Sequence, residues 1–170
     1  MKLDTASLRK AEVPDAVDED VVDEFDGPQL VTIRERSGKR FLGVLVDTDD
    51  DGSLWLLGRL TEHNWRALIE GRAKLRGIVH APGSIIIARD WSHNITAAWA
   101  APLPTKDSED GGLGEKFLPE KGALLPKAIR DRLVELLEPP TGTPPFDDRS
   151  VEKGSTDFVR APVPEQERAA

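Results

Sequence analysis

The chain has 170 residues, a formal net charge of −8 at neutral pH and no cysteine. The lack of cysteine excludes disulfide bonds, thiolate zinc sites and cysteine nucleophiles, and it is typical of proteins of a reducing cytoplasm. The N-terminus lacks the apolar region of a signal peptide, and no segment has the roughly 20 apolar residues that span a bilayer. We therefore expect a cytoplasmic protein without a membrane segment.

The acidity lies toward the two ends of the chain. Residues 1–26 hold 3 basic and 9 acidic side chains, residues 27–138 hold 16 of each, and residues 139–170 hold 4 and 6. We predict an acidic N-terminal arm over 1–26, either weakly ordered or docked on the core as a short element, a single domain over 27–138, and a disordered tail over 139–170. A neutral central domain lacks the basic surface that phosphate binding requires, so nucleic acid is not the expected partner.

Short segments with alternating or β-branched apolar residues predict an antiparallel sheet of about five strands. The third segment is apolar on both faces, with Leu54 and Leu56 on one and Trp55 and Leu57 on the other. Strands covered on both sides have this pattern, so the second and third strands are expected to be central. The five segments are 29–36, 40–46, 53–60, 84–89 and 95–100.

Two helices are predicted beside the strands. The first runs from Thr61, a suitable N-cap, to Gly71, which can take the left-handed conformation that ends a helix. The second begins at Pro126, and apolar residues recur at helical spacing from Ile129 to Leu137. The fold class is therefore α+β, with two packed helices and acidic or disordered segments at both ends.

The stretch VDTDDDGSLW resembles the beginning of a calcium-binding loop. Asp47, Asp49, Asp51 and Gly52 match positions one, three, five and six of an EF-hand loop. Position twelve, where calcium needs a bidentate glutamate, is Gly58. The flanks also alternate as strands do, so the stretch is predicted to be the tip of a β-hairpin.

No motif for catalysis occurs in the chain. Neither H-E-x-x-H, G-x-S-x-G nor a glycine-rich phosphate loop is found, so an enzyme is not favoured and no cofactor is predicted. The alternative is a metal-dependent enzyme. His80 precedes a predicted strand, and Asp90 and His93 follow it. If these three residues converged at one end of the sheet, they would supply two imidazoles and a carboxylate as metal ligands.

Binding of a partner protein is the function that these exclusions favour. Trp91 lies in a predicted loop, and an exposed tryptophan is typical of interface anchors. Two basic groups, if they share a face, could bind an acidic partner, including RNA or the protein's own acidic N-terminal arm, or they could form an ordinary solvated surface. Their partner-binding candidates are Arg34, Arg36, Arg72, Lys74 and Arg76. We predict a small non-enzymatic accessory, adaptor or inhibitory domain of a bacterial cytoplasm.

The strand after G-P-Q-L, the hairpin before L-W-L-L and the helix WRALIEGRAKLRGIV carry a resemblance to a known family. Over about residues 25–100 the chain resembles an uncharacterised bacterial domain family in which a small β-meander precedes a helix ending in L-x-x-G-x-x-x-L-R, here Leu68 to Arg76. The resemblance implies this fold and no particular activity or catalytic residue.

Overall fold

A computed structural model describes residues 3–24 and 28–137. The predicted α+β fold is confirmed, with six strands in the described part of the chain where about five were expected. No helix in that part is long and apolar enough to cross a membrane. The strands are β1 (Ala16–Glu24), β2 (Pro28–Glu35), β3 (Arg40–Asp49), β4 (Gly52–Leu60), β5 (Ile85–Arg89) and β6 (Ile95–Ala100); the helices are α1 (Glu62–Ile69), α2 (Leu75–Val79) and α3 (Lys127–Leu137), and Glu115–Phe117 forms a 3₁₀ turn.

The six strands form one antiparallel sheet in which each strand lies beside its neighbours in sequence. β3 and β4 are the central strands of the sheet, as their sequences predict. Each face of the sheet has its own apolar cluster, because β4 directs apolar side chains to both sides. The helix-side cluster includes Leu42, Leu56 and Ile86 with Leu68 of α1, Val79 of α2 and Leu133 of α3; the opposite, concave cluster contains Val31, Ile33, Phe41, Trp55, Leu57, Ile87 and Ala98.

The sheet takes its first strand from the segment predicted to be an acidic arm. Residues 16–24 pair with β2, and the residues before them lie along the far edge of the sheet on β6. The Ala11 amide donates to the Ala98 carbonyl at 3.0 Å, and the Ala100 amide donates to the Arg9 carbonyl at 2.8 Å. The N-terminal segment is thus docked on the core, the second of the two arrangements expected for it. The tail predicted over 139–170 lies outside the described residues.

An ion pair shows how strongly the sheet curls. Glu19 on β1 and Arg89 on β5 are separated by three strands, which in a flat sheet would place the two strands about 19 Å apart at about 4.8 Å per strand. Two guanidinium nitrogens of Arg89 nevertheless lie 3.0 and 2.6 Å from the Glu19 carboxylate oxygens. The sheet must therefore bend around its concave cluster until β1 approaches the end of β5.

Both predicted helices are present and begin where their sequences indicate. The Thr61 hydroxyl accepts a hydrogen bond from the Asn64 amide at 3.2 Å, and the Asn64 side chain accepts one from the Thr61 amide at 2.7 Å. This reciprocal pair satisfies two amides that the first turn of α1 leaves without helical partners. At α3, the amides of Ile129 and Arg130 both donate to the carbonyl of Pro126.

Candidate interaction surface

Two turns from different hairpins meet at one end of the sheet. Gly52 ends the β3–β4 turn, and a Cβ atom at this position would lie 1.9 Å from the carbonyl oxygen of Arg89, the last residue of β5. Only glycine permits so close an approach of two backbones. The β3–β4 turn is therefore held against the β5–β6 turn. We call the surface that they form the acidic tip; it consists of Asp49, Asp50, Asp51, Asp90 and Trp91.

Trp91 is the most exposed apolar side chain at this end of the sheet. Its exposed fraction is 61%, which agrees with the prediction that Trp91 lies exposed in a loop. The indole Nε1–H donates a hydrogen bond to the carbonyl oxygen of Asp50 at 2.9 Å, which ties the β5–β6 turn to the β3–β4 turn. The hydrogen bond restricts the orientation of the ring while leaving much of its surface in water. A partner binding there has less side-chain entropy to remove than with a freely rotating tryptophan.

The turn that carries Trp91 is organised by Asp90. The carboxylate of Asp90 accepts hydrogen bonds from the amides of Ser92 and Asn94, each at 2.9 Å, and from the Asn94 side chain at 3.1 Å. These bonds, the Asn94 side chain first, lower the pKa of Asp90 below its ordinary value. The carboxylate therefore remains charged at neutral pH. His93 in the same turn has a φ of 66°, in the left-handed region.

The β3–β4 turn is the hairpin tip that the sequence predicts. Asp49 pairs with Gly52 across the turn, and its carboxylate accepts hydrogen bonds from the amides of Asp51 and Gly52 at 2.9 and 3.1 Å. One aspartate thus closes the turn, while Asp50 and Asp51 point into water. The flanking segments are strands, in contrast to the two helices that flank an EF-hand loop.

A cleft of about 200 Å³ lies beside the acidic tip. Asp49 and Asp51 belong to both the tip and the cleft, and the charged residues Asp47 and Arg89 line the cleft together with apolar and small polar side chains. Asp47 joins the N-terminal segment to this wall, because its carboxylate accepts a hydrogen bond from the Leu3 amide at 3.1 Å. Other residues of the lining are Thr5, Ser53, Leu54 and Trp99. The cleft therefore combines three aspartates and one arginine with apolar walls.

The predicted basic contact residues are mostly paired within the protein. Arg34 binds Asp18 at 3.1 Å, and Arg36 binds Asp15 at 2.8 Å. Arg72 is paired with Glu70, whereas Lys74 is exposed at the N-cap of α2. These pairs between exposed side chains contribute little stability and can exchange partners. They give the basic groups local acidic neighbours and do not create a surface of uncompensated positive charge.

Arg76, the fifth of these residues, is buried. Its guanidinium group binds both carboxylate oxygens of Glu115, at 2.7 and 3.0 Å, and this pair holds the loop between β6 and α3 against α2. The hydrogen bond to Glu115 raises the pKa of Arg76 and lowers that of Glu115. Because only 9% of Arg76 is exposed, its guanidinium is occupied inside the fold. The sequence carries no sign of this, since the partner lies 39 residues away in a loop.

The three residues of the metal alternative do not come together. His80 lies before β5 and Asp90 and His93 lie after it, so the five residues of that strand place the two groups at opposite ends of it. The His80 ring is buried, with Nε2 2.6 Å from the carbonyl oxygen of Pro102. Within residues 3–24 and 28–137, no group of three or more histidine, aspartate or glutamate side chains has the arrangement of a metal site.

Comparison with known proteins gives a match to one family model and indicates no activity. Residues 19–85 match a family described as a Family of unknown function (DUF6575), in agreement with the resemblance to an uncharacterised domain family. No curated protein and no solved structure matches the chain. The matched segment runs from β1 to the first residue of β5, so it includes the β3–β4 part of the acidic tip and ends before Trp91.

Proposed function

We propose that the protein is a non-enzymatic interaction module of a bacterial cytoplasm, with an accessory, adaptor or inhibitory role, and that its acidic tip binds a basic segment of a partner protein. The observation that carries the proposal is Trp91, an exposed tryptophan held in place by a hydrogen bond from its indole to the neighbouring turn. The absence of cysteine supports the cytoplasmic assignment.

The charges around Trp91 favour a basic partner. Asp50, Asp51 and Asp90 form no ion pair with the described residues, so their charges are open to a ligand. A lysine or arginine side chain over the indole face would gain about 0.5–1 kcal/mol at an exposed site, and about 2 kcal/mol once water is removed. Carboxylates beside the ring increase the rate of encounter with such a partner.

The structure gives the competing enzymatic function no comparable support. The metal alternative requires His80, Asp90 and His93 to share an ion, and β5 separates His80 from the other two. Asp90 also uses its carboxylate to organise the turn that carries Trp91. A structural role for Asp90 explains its contacts without a metal ion.

The experiment is a capture of partners from the native host with the full chain, followed by titration of the captured protein. Replacing Trp91 with alanine should weaken binding by at least about tenfold, because interface tryptophans are among the residues that contribute most to affinity. Leu124, which is 51% exposed on the loop before α3, offers the matched control, and Leu124→Ala should bind as the native chain does.

Two results would contradict the proposed function. One is a captured partner that binds the Trp91→Ala and native proteins equally well. The other is stoichiometric zinc or manganese in protein purified without a histidine tag, together with turnover of a substrate. The double variant Asp50→Asn/Asp51→Asn removes two negative charges and keeps Trp91 in place. It should therefore mainly slow association with the partner and reduce the dependence of association on salt.

A further inference from the structure

The strand β1 is a terminal strand of the sheet, and no second strand of the described residues pairs with its outer edge. Of its nine residues, only Asp20 and Val22 are partly or fully buried. Its neighbour in the sheet is β2, and no backbone hydrogen bond of the described residues outside the regular elements involves residues 16–24. An edge of this kind presents amide and carbonyl groups that can pair with another extended chain.

The side chains of β1 determine which chain can approach this edge. The strand carries five carboxylates, of which Asp18 binds Arg34 and Glu19 binds Arg89. The other three, Asp20, Asp23 and Glu24, make no ion pair with the described residues. A second copy of the chain would bring its own β1 carboxylates against these, and like charges on facing strands repel. The charge pattern therefore disfavours self-association and favours a basic chain.

We infer that β1 binds a short, extended, basic segment of another protein, which joins the sheet as a seventh strand. Backbone hydrogen bonds would supply much of the affinity and alternate side chains the specificity, as in other strand additions. The exposed Val17 and Val21 provide apolar contacts between the carboxylates. This interaction uses a different surface from the acidic tip and does not depend on Trp91.

The register of β1 limits the length of the added strand. Irregularities occur between Ala16 and Asp18 and again between Val21 and Asp23. The regular stretch from Asp18 to Val21 pairs with residues 31–34 of β2. Because a bulge disrupts the ladder locally, we expect the added strand to pair chiefly along these four residues.

A hexapeptide of alternating lysine and valine, with both ends blocked, tests the inference on the full chain. Binding should shift the amide NMR signals of residues 18–21 and slow their hydrogen exchange. A matched peptide with N-methyl groups at alternate residues keeps the charge and removes backbone donors, so it should bind at least about tenfold more weakly if several backbone hydrogen bonds are lost. Equal binding of the two peptides, or no binding of the first, would overturn the inference.

Variants of the protein separate this edge from the acidic tip. The triple variant Asp20→Asn/Asp23→Asn/Glu24→Gln should weaken binding of the lysine peptide several-fold, whereas Asp107→Asn/Glu120→Gln, in the loop before α3, should not. Trp91→Ala should also leave this binding unchanged. If Trp91→Ala abolished it and the triple variant had no effect, the peptide would be binding at the tip, which would refute strand addition and leave the proposed function standing.

Discussion

Arg89 illustrates how a single residue can join distant parts of a sheet. It is only 5% exposed, and its guanidinium contacts the Glu19 carboxylate, the carbonyl oxygen of His93 and, at 5.8 Å, the centre of the Trp55 ring. A buried charge is tolerated only when such partners replace water. The alternation of β5 places this residue on the concave face, but nothing in the sequence indicates that Glu19, 70 residues earlier, lies opposite.

Replacing Glu19 with glutamine should destabilise the protein measurably. The substitution leaves the buried guanidinium of Arg89 without its anionic partner, which is expected to cost about 1–3 kcal/mol in the free energy of unfolding. Asp18→Asn on the same strand is the matched control, because its pair with Arg34 is exposed and should contribute about 0–1 kcal/mol. Urea denaturation gives both values. An equal loss in the two variants would show that burial of Arg89 does not decide the effect.

Trp91 and Arg76 show how far single residues can be predicted. The turn-favouring neighbours Asp90, Ser92 and Asn94 predict an exposed loop for Trp91, and the exposure is confirmed. The sequence groups Arg76 with surface cations, yet this residue is buried against Glu115. Arginine is usually exposed, and only the path of a distant loop determines that this one is not.

At the scale of elements, the contact between β4 and α2 depends on the size of one residue. A Cβ atom at Gly58 would lie 2.0 Å from the carbonyl oxygen of Ile78 in α2, so the helix can pack against the strand only because that side chain is missing. In the sequence, Gly58 matters as the residue that breaks a calcium motif. In the structure it also brings a helix close to the sheet.

Two glycine substitutions should therefore have opposite effects. Gly58→Ala should destabilise the protein by about 1–3 kcal/mol, because the strand and α2 must move apart. A Cβ atom at Gly77, within α2, would meet no atom within 4 Å outside its own helix, and Gly77→Ala should stabilise by about 0.5–1 kcal/mol through backbone entropy. Thermal or urea unfolding measures both. A neutral Gly58→Ala variant would mean that α2 is free to shift away from β4.

The helices and strands differ in how clearly their sequences indicate them. α1 has a capping residue, an apolar face and a terminal glycine, and β3 and β4 have continuous apolar patterns, so all three are predictable. α2 has only five residues, which is too short for a helical period to be visible. The acidic composition of β1 does not indicate a strand, because Asp and Glu are uncommon in strands. This strand is stabilised by its pairing with β2.

Across the whole molecule, the loop between β6 and α3 is held on the core by ionised carboxylates. Asp110 accepts hydrogen bonds from the Ser108 hydroxyl and from the amides of Gly112 and Gly114, which lower its pKa. Glu115 binds Arg76, which lowers the pKa of Glu115. Leu113 and Phe117 of the same loop are buried in the helix-side cluster. Loss of these charges should therefore loosen one wall of the core.

The sign of the pH effect follows from the two lowered pKa values. Each carboxylate binds protons less readily in the folded than in the unfolded chain, so its contribution to stability is present above its ordinary pKa and is lost as the pH falls through its folded value. For Glu115 the ordinary pKa is 4.5. The native protein should exceed Glu115→Gln in stability at pH 7, and the difference should shrink at pH 3. Urea midpoints at the two pH values test this; a constant difference would contradict it.

Local sequence is sufficient for the class of the fold, the central position of β3 and β4, the hairpin at Asp49–Gly52 and the exposure of Trp91. Each of these depends on periodicity, turn chemistry or composition, which act over a few residues. Long-range packing is needed for the docking of residues 3–24, the curl that joins Glu19 to Arg89, the burial of Arg76 and the meeting of two turns at the acidic tip. These depend on contacts between residues far apart in the chain, which periodicity and turn chemistry over a few residues do not encode.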